Sequence, residues 1–210
     1  MRKLNRDDSP PAGLKNYKHG RDTWSQVTQE QRTAIWVKLD AMQGKRCAYC
    51  EDSIAHPNRH IEHFRQRNRY PQGTFDWPNL FGSCNRAGTC GDHKDNCGNY
   101  PHEDLIKPDV EDPEALLLFT PNGSVQPRAN LSDQDRTRAE QTIRILGLDG
   151  ALTQIRKTHI SGHLQTVLDI AEAQQWSEQD YLQFLDEELL KVAHLPFATA
   201  IKHILTPQGE

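Results

Sequence analysis

Long apolar runs are what this chain most lacks. The longest, Ala115–Phe119, falls far short of the roughly 20 residues that span a bilayer. No apolar stretch near Met1 has the length of a signal-peptide core, so a cytoplasmic protein with no membrane partner is expected. Hydrophobic residues are only 35% of the 210, and the mean hydropathy is -0.81. That composition predicts a modest core with long loops, in one large or two small domains. Cysteine is scarce, with five residues. In a cytosolic chain they argue against a disulfide framework. Four of them fall in two close pairs, which is metal-site spacing. No internal repeat and no low-complexity tract is present.

What is present is unevenly charged. Residues 1–100 carry 16 Lys/Arg against 11 Asp/Glu, and residues 101–210 carry 9 against 18. A basic half suits phosphates, and an acidic half suits protein or solvent.

Three segments follow from the pattern. Residues 1–44 read as an extended arm, anchored by Leu4, Leu14, Tyr17 and Trp24, and then a helix. Thr28 with Gln31 fits a capping box. Ile35, Trp36, Leu39 and Met42 recur at helical spacing, and Gly44 closes the helix. Residues 45–110 hold the cysteines, a strand over 59–64, a basic loop and a short helix from about Asp92. Residues 111–210 begin with a small hairpin turning at Asn122-Gly123. Helices follow, capped by Ser132 and Ser177, with a long one between them from about Gly150 to Gln174. That long helix is expected to bury Leu152, Ile155, His159, Leu164, Val167 and Ile170. A fourth, short helix follows Pro196. The fold class is α+β.

Cys47-x2-Cys50 and Cys84-x5-Cys90 supply four thiolates, which close a tetrahedral Zn2+ site with no open position. The second pair is wider than usual, and Cys97 stands as an alternative ligand. Residues 45–100 are too polar to bury a real core. A zinc ion supplies folding energy there on the order of 10 kcal/mol.

Between the cysteines lies an ordered set of polar groups in R-H-I-E-H-F and D-W-P-N-L. Phosphodiester hydrolysis needs a base to activate water and a divalent ion to neutralise charge. His63 suits the base, because imidazole titrates near neutral pH. Glu62 suits Mg2+, which prefers oxygen ligands. Asn79 can hold the loop near His63 through its amide. On a regular strand, however, adjacent side chains point to opposite faces. Glu62 and His63 meet at one phosphate only if the strand twists or ends there. The rival arrangement is a His60/Glu62 metal pair with His63 structural. Arg59, Arg65, Arg67 and Arg69 surround the set and suit phosphate contacts that carry no base specificity. Tyr70 and Trp77 are expected to pack the loop rather than to stack on bases.

These residues resemble the HNH (ββα-metal) endonucleases, with His63, Asn79 and His93 as the letters of the motif. The resemblance implies a strand–strand–helix nuclease core stapled by zinc, followed by a mostly helical region. It also implies Glu62 and a residue of the short helix as ligands of catalytic Mg2+ or another divalent ion. His93 is favoured as that residue, with Asp92 and Asp95 open. M-R-K-L, C-A-Y-C-E, I-E-H-F, D-W-P-N-L, the H-K-D segment and the helical tail together resemble the PtuB nucleases of Septu-type anti-phage defence, some of them retron-associated. That implies a nucleic-acid substrate, DNA or RNA, and a partner, the ABC-type ATPase PtuA. In retron-linked systems it also implies a reverse transcriptase and its DNA product. The competing reading is a non-catalytic zinc-stapled adaptor that binds nucleic acid or an ATPase.

Overall fold

The computed structural model describes residues 1–206, apart from the side chains of Ala171, Ala173 and Glu178. The last four residues of the predicted helical segment lie outside it. Helix α1 spans Gln29–Gln43. Thr28 accepts a hydrogen bond from the Gln31 N–H, and Gly44 closes the helix in the left-handed region at φ 62°. Only the hydroxyl half of the expected capping box forms. The Gln31 amide is drawn to Gly13, where a Cβ would stand 2.5 Å from its Nε2.

The centre of the molecule is small. Strands β1 (Arg59–His63) and β2 (Leu80–Cys84) pair antiparallel, with Glu62 opposite Phe81 and His63 opposite Leu80. Helix α2 (Cys90–Asn96) follows. The outer edge of β2 is occupied by a side chain. Gln43 donates to the Gly82 carbonyl at 2.9 Å and accepts from the Gly82 N–H at 2.7 Å. Buried edges need such partners, because an unpaired backbone group costs about as much as a lost hydrogen bond.

Strands β3 (Leu117–Phe119) and β4 (Val125–Pro127) form the expected hairpin. Its turn requires glycine. Gly123 sits at φ 86°, and a Cβ there would collide with the Thr153 carbonyl. Helices α3 (Asp133–Ile145), α4 (Ala151–Gln174), α5 (Glu178–Val192) and α6 (Ala198–Leu205) complete the chain. The buried face of α4 is Leu152, Arg156, Ile160 and Val167, while His159 and Ile170 are exposed. Arg156 is tolerated inside because it donates to the Gly123 and Leu148 carbonyls and lies over the Phe119 ring.

One buried cluster runs from Met1 through the cysteines, the hairpin and the helices to Leu205. The N-terminal arm is therefore seated rather than free. The Arg6 guanidinium pairs with Asp109 at 2.5 Å, donates to the carbonyls of Trp77 and Leu80, and lies over Trp77 and Phe81. Among the described residues, no helix is long and apolar enough to cross a membrane.

Candidate active site

The four predicted zinc cysteines converge. Cys47, Cys50, Cys84 and Cys90 are all buried, and their sulfur atoms lie within 4.8 Å of one another. Cys50 and Cys84 are 4.0 Å apart. Zn–S bonds of about 2.3 Å in a tetrahedron place sulfurs about 3.8 Å apart, so the cluster fits that ion. Hydrogen bonds from Cys47, Cys50 and Cys90 hold the Cys84 thiol well below its ordinary range. Cys97 is not part of it, since its sulfur is engaged with the Lys94 carbonyl at 3.2 Å.

The strand periodicity decides the rest. His60 and Glu62 share one face of β1, and the His60 Nε2 lies 3.2 Å from the Glu62 carboxylate. Gly91 of α2 permits this approach, for a Cβ there would stand 2.5 Å from Glu62 Oε2. On that face Lys94 is fully buried, 2.7 Å from Glu62 and 2.7 Å from Asp95. Burial alone would lower the Lys94 ammonium, but Glu62, Tyr100 and Asp95 hold it above its ordinary value. Glu62 Oε1 is buried and finds no partner of hydrogen-bonding geometry. The ammonium thus meets that oxygen as an ion pair at 2.7 Å, while the other carboxylate oxygen faces His60. Burial would likewise lower His60, and its bonds to Glu62 and Asn85 outweigh that and raise it.

His63 takes the other face. Its Nε2 donates to the Thr74 carbonyl at 3.0 Å, and its ring stands edge-on to Trp24 at 4.5 Å. Burial, with Arg67 and Lys94 nearby, pushes its pKa down to about 4. The ring is therefore neutral at pH 7, with the proton on Nε2 and the Nδ1 lone pair free. Asn79 ties down the loop beside it. It accepts from the Arg65 N–H at 2.8 Å and donates to the carbonyls of Arg65 and Gly73. Thr74, Trp24, Arg67 and His19 line a hollow of about 350 Å³ against this face.

His93, expected to meet Glu62, is turned away from it. Its Nδ1 bonds the Ile145 carbonyl at 2.9 Å, and its ring packs on Gly147. Successive helical residues turn about 100°, so a residue two positions past Gly91 faces nearly opposite. Asp92 is engaged as well, accepting the Gly88 N–H at 2.7 Å. Of the three open candidates, Asp95 is the one beside Glu62, joined through Lys94. The periodicity of α2 carried this signal, since Gly91, Lys94 and Asp95 share a face.

The four arginines also separate. Arg59 is occupied, with both Asp40 oxygens within 3.0 Å and its guanidinium over Trp36 at 4.0 Å. Arg65 is half-buried over Tyr70, while Arg67 and Arg69 are exposed. Trp77 packs the loop as expected, buried and donating to the Asp7 carbonyl.

No protein-family model matches the chain. It is 30% identical over 101 residues to the Septu protein PtuB of Bacillus thuringiensis, covering 42% of this chain and 37% of that protein. It is 26% identical over 128 residues to the candidate HNH endonuclease of retron Vc95 from Vibrio cholerae serotype O1 biovar El Tor, covering 57% of this chain and 60% of that protein. The chain thus spans less than two thirds of either relative. The chain is thus similar in sequence to one protein named PtuB and to one named as a candidate HNH endonuclease, the two names that the motifs had suggested.

Proposed function

We propose that this chain is a metal-dependent HNH endonuclease whose core is a zinc-stapled ββα-metal unit formed by β1, β2 and α2. The observation that carries the reading is the clustering of Glu62 and Asp95 about the buried Lys94, next to His63, where β1 ends and the two opposite-facing side chains could reach one phosphate around the strand end. Lys94 and Asp95 act electrostatically on His63 as well. Two carboxylates suit a hard divalent ion, which would share or displace the Lys94 ammonium that now bridges them. Glu62 and Asp95 would hold it, and it would supply charge neutralisation at the phosphate and the leaving oxygen. His63, neutral and oriented by Thr74, takes a proton from water on Nδ1. The hydroxide attacks phosphorus, and the bond to the leaving oxygen breaks. Asn79 keeps the loop of residues 65–74 in register with His63. Arg67 contacts the incoming phosphate.

The effector role rests on the named relatives. We propose that the chain serves anti-phage defence beside an ABC-type ATPase of the PtuA kind, and in retron-linked systems beside a reverse transcriptase and its DNA product. One observation favours the adaptor reading instead. Lys94 already neutralises Glu62, as a structural ion pair would. Incubation of the full chain with plasmid DNA and with RNA, with and without Mg2+, separates the two. Cleavage that needs Mg2+ and is abolished in His63→Ala and Glu62→Ala supports the nuclease. Binding with no cleavage under any of these conditions supports the adaptor.

A further inference from the structure

The loop that brings Arg67 and Thr74 toward His63 also carries Arg65 and Tyr70 into a separate cleft. This cleft is about 610 Å³, within the range that accepts a small organic ligand. Its chemistry is mixed in a particular way. Tyr70 and Phe75 give aromatic walls, Lys15 and Arg65 give cations, Lys107 gives a third that is paired with Asp109, and Asp8 and Asp76 give exposed acceptors.

The aromatic walls are fixed in advance. The Tyr70 ring lies so close to Gly73 that a Cβ there would overlap it. The Arg65 guanidinium covers Tyr70 at 4.7 Å. Phe75 is stacked on Tyr17 at 5.5 Å, with the planes 24° apart. Surfaces held this way lose little entropy when a flat ligand joins them. Lys15 is exposed and makes no ion pair among the described residues.

Flat aromatic and guanidinium surfaces, a cationic rim and a carboxylate acceptor match one ligand class, the nucleobase with its phosphate. Bases stack on aromatic rings and on guanidinium planes, and their amino groups donate to carboxylates. A base paired inside a duplex cannot enter a pocket without leaving the stack. Arg65 and Arg67 are two residues apart, at most about 7 Å along the chain, which is the rise of roughly two nucleotides. Asn79 lines the cleft and also holds the loop beside His63. We infer that the cleft seats an unpaired base next to the scissile phosphate, so that the substrate is single-stranded or looped where it is cut. This rests on the nuclease reading and narrows its substrate.

The test uses the full chain without divalent ions, so that nothing is cut. Fluorescence anisotropy compares a short labelled single-stranded oligonucleotide with the same sequence in a duplex. Wild type should bind the single strand about tenfold more tightly or better, since stacking contributes about 1–3 kcal/mol per base. Tyr70→Ala should weaken single-strand binding about 5- to 150-fold and leave duplex binding unchanged. Equal affinity for both forms in wild type, or equal weakening of both in Tyr70→Ala, overturns the inference. Should Tyr70→Ala fail to fold, photo-crosslinking of wild type to a thiothymidine-containing single strand decides. Crosslinks at Tyr70 or Phe75 support the cleft, and crosslinks confined elsewhere overturn it. A protein that binds single strands in this way but never cuts them refutes the nuclease reading alone. One that cuts duplex and single strand alike, with no crosslink in the cleft, refutes the inference alone.

Discussion

Replacing Lys94 by Met is the sharpest perturbation of the candidate site. The ammonium is fully buried and lies 2.7 Å from a Glu62 carboxylate that is itself only 2% exposed. Methionine keeps most of the volume and removes the charge. Glu62 would then be a buried carboxylate with only His60 beside it, and breaking such a pair costs about 3–5 kcal/mol. In a chain of this size each kcal/mol moves Tm by about 2–4 °C. The variant should therefore melt roughly 6–20 °C below wild type.

The second half of the experiment adds Mg2+ or Mn2+ in chelator-free buffer, so that the zinc stays in place. In wild type the ammonium competes for the carboxylates, so a divalent ion should raise Tm less than it does in the variant. In Lys94→Met the same ion can take the vacated position between Glu62 and Asp95. At about a hundred times its Kd it would restore about 2.7 kcal/mol. Circular dichroism melting of both proteins with and without the ion reads this directly. A Lys94→Met protein as stable as wild type would show that the buried pair does not form. A destabilised variant that divalent ions do not rescue would refute Glu62 and Asp95 as a cation site.

Other expectations follow from the same geometry. Purified protein should carry one zinc per chain by elemental analysis; Cys47→Ser should lose it and unfold residues 45–100, whereas Cys97→Ser should keep it. Well-folded zinc-free protein would refute this. The His63 pKa is about 4 in the fold and about 6.5 when unfolded. The unfolded state therefore gains a proton first, and stability present above pH 6.5 is lost as pH falls toward 4, by about 3 kcal/mol. Urea unfolding of His63→Gln should lack that part of the slope; an unchanged slope would count against a buried neutral His63. The exposed acids Asp186 and Glu187 of α5 repel a nucleic-acid backbone and suit a protein partner. Asp186→Lys with Glu187→Lys should abolish co-purification with a co-expressed PtuA-type ATPase while leaving nucleic-acid binding intact, and retained co-purification would argue against docking on α5.

How much of this was legible in the sequence depends on whether a residue's role was local. The capped helices, the Asn-Gly hairpin and the convergence of two cysteine pairs rest on neighbours close in sequence or on a metal's demand for four ligands, and all are found. The opposite facing of Glu62 and His63 followed from strand periodicity alone, and the structure keeps it. What was not legible involves charges hidden by distant partners. Lys94, in the polar run Asp92–Asn96, reads as solvated, yet Glu62, some thirty residues earlier, draws it inside. Arg156 was hidden in the same way, because its carbonyl partners lie on a hairpin turn and on the link between α3 and α4. His93 was favoured by motif spacing, which counts positions but not helical angle. Gly91 touches Glu62, so the face of α2 that meets β1 is the face of Gly91, Lys94 and Asp95. The motif's third histidine lies about 200° around the helix from Gly91, where it serves α3 instead. The choice of helix-borne ligand is therefore a question of angle, and the close contact of Gly91 with Glu62 is what favours Asp95 in the proposal.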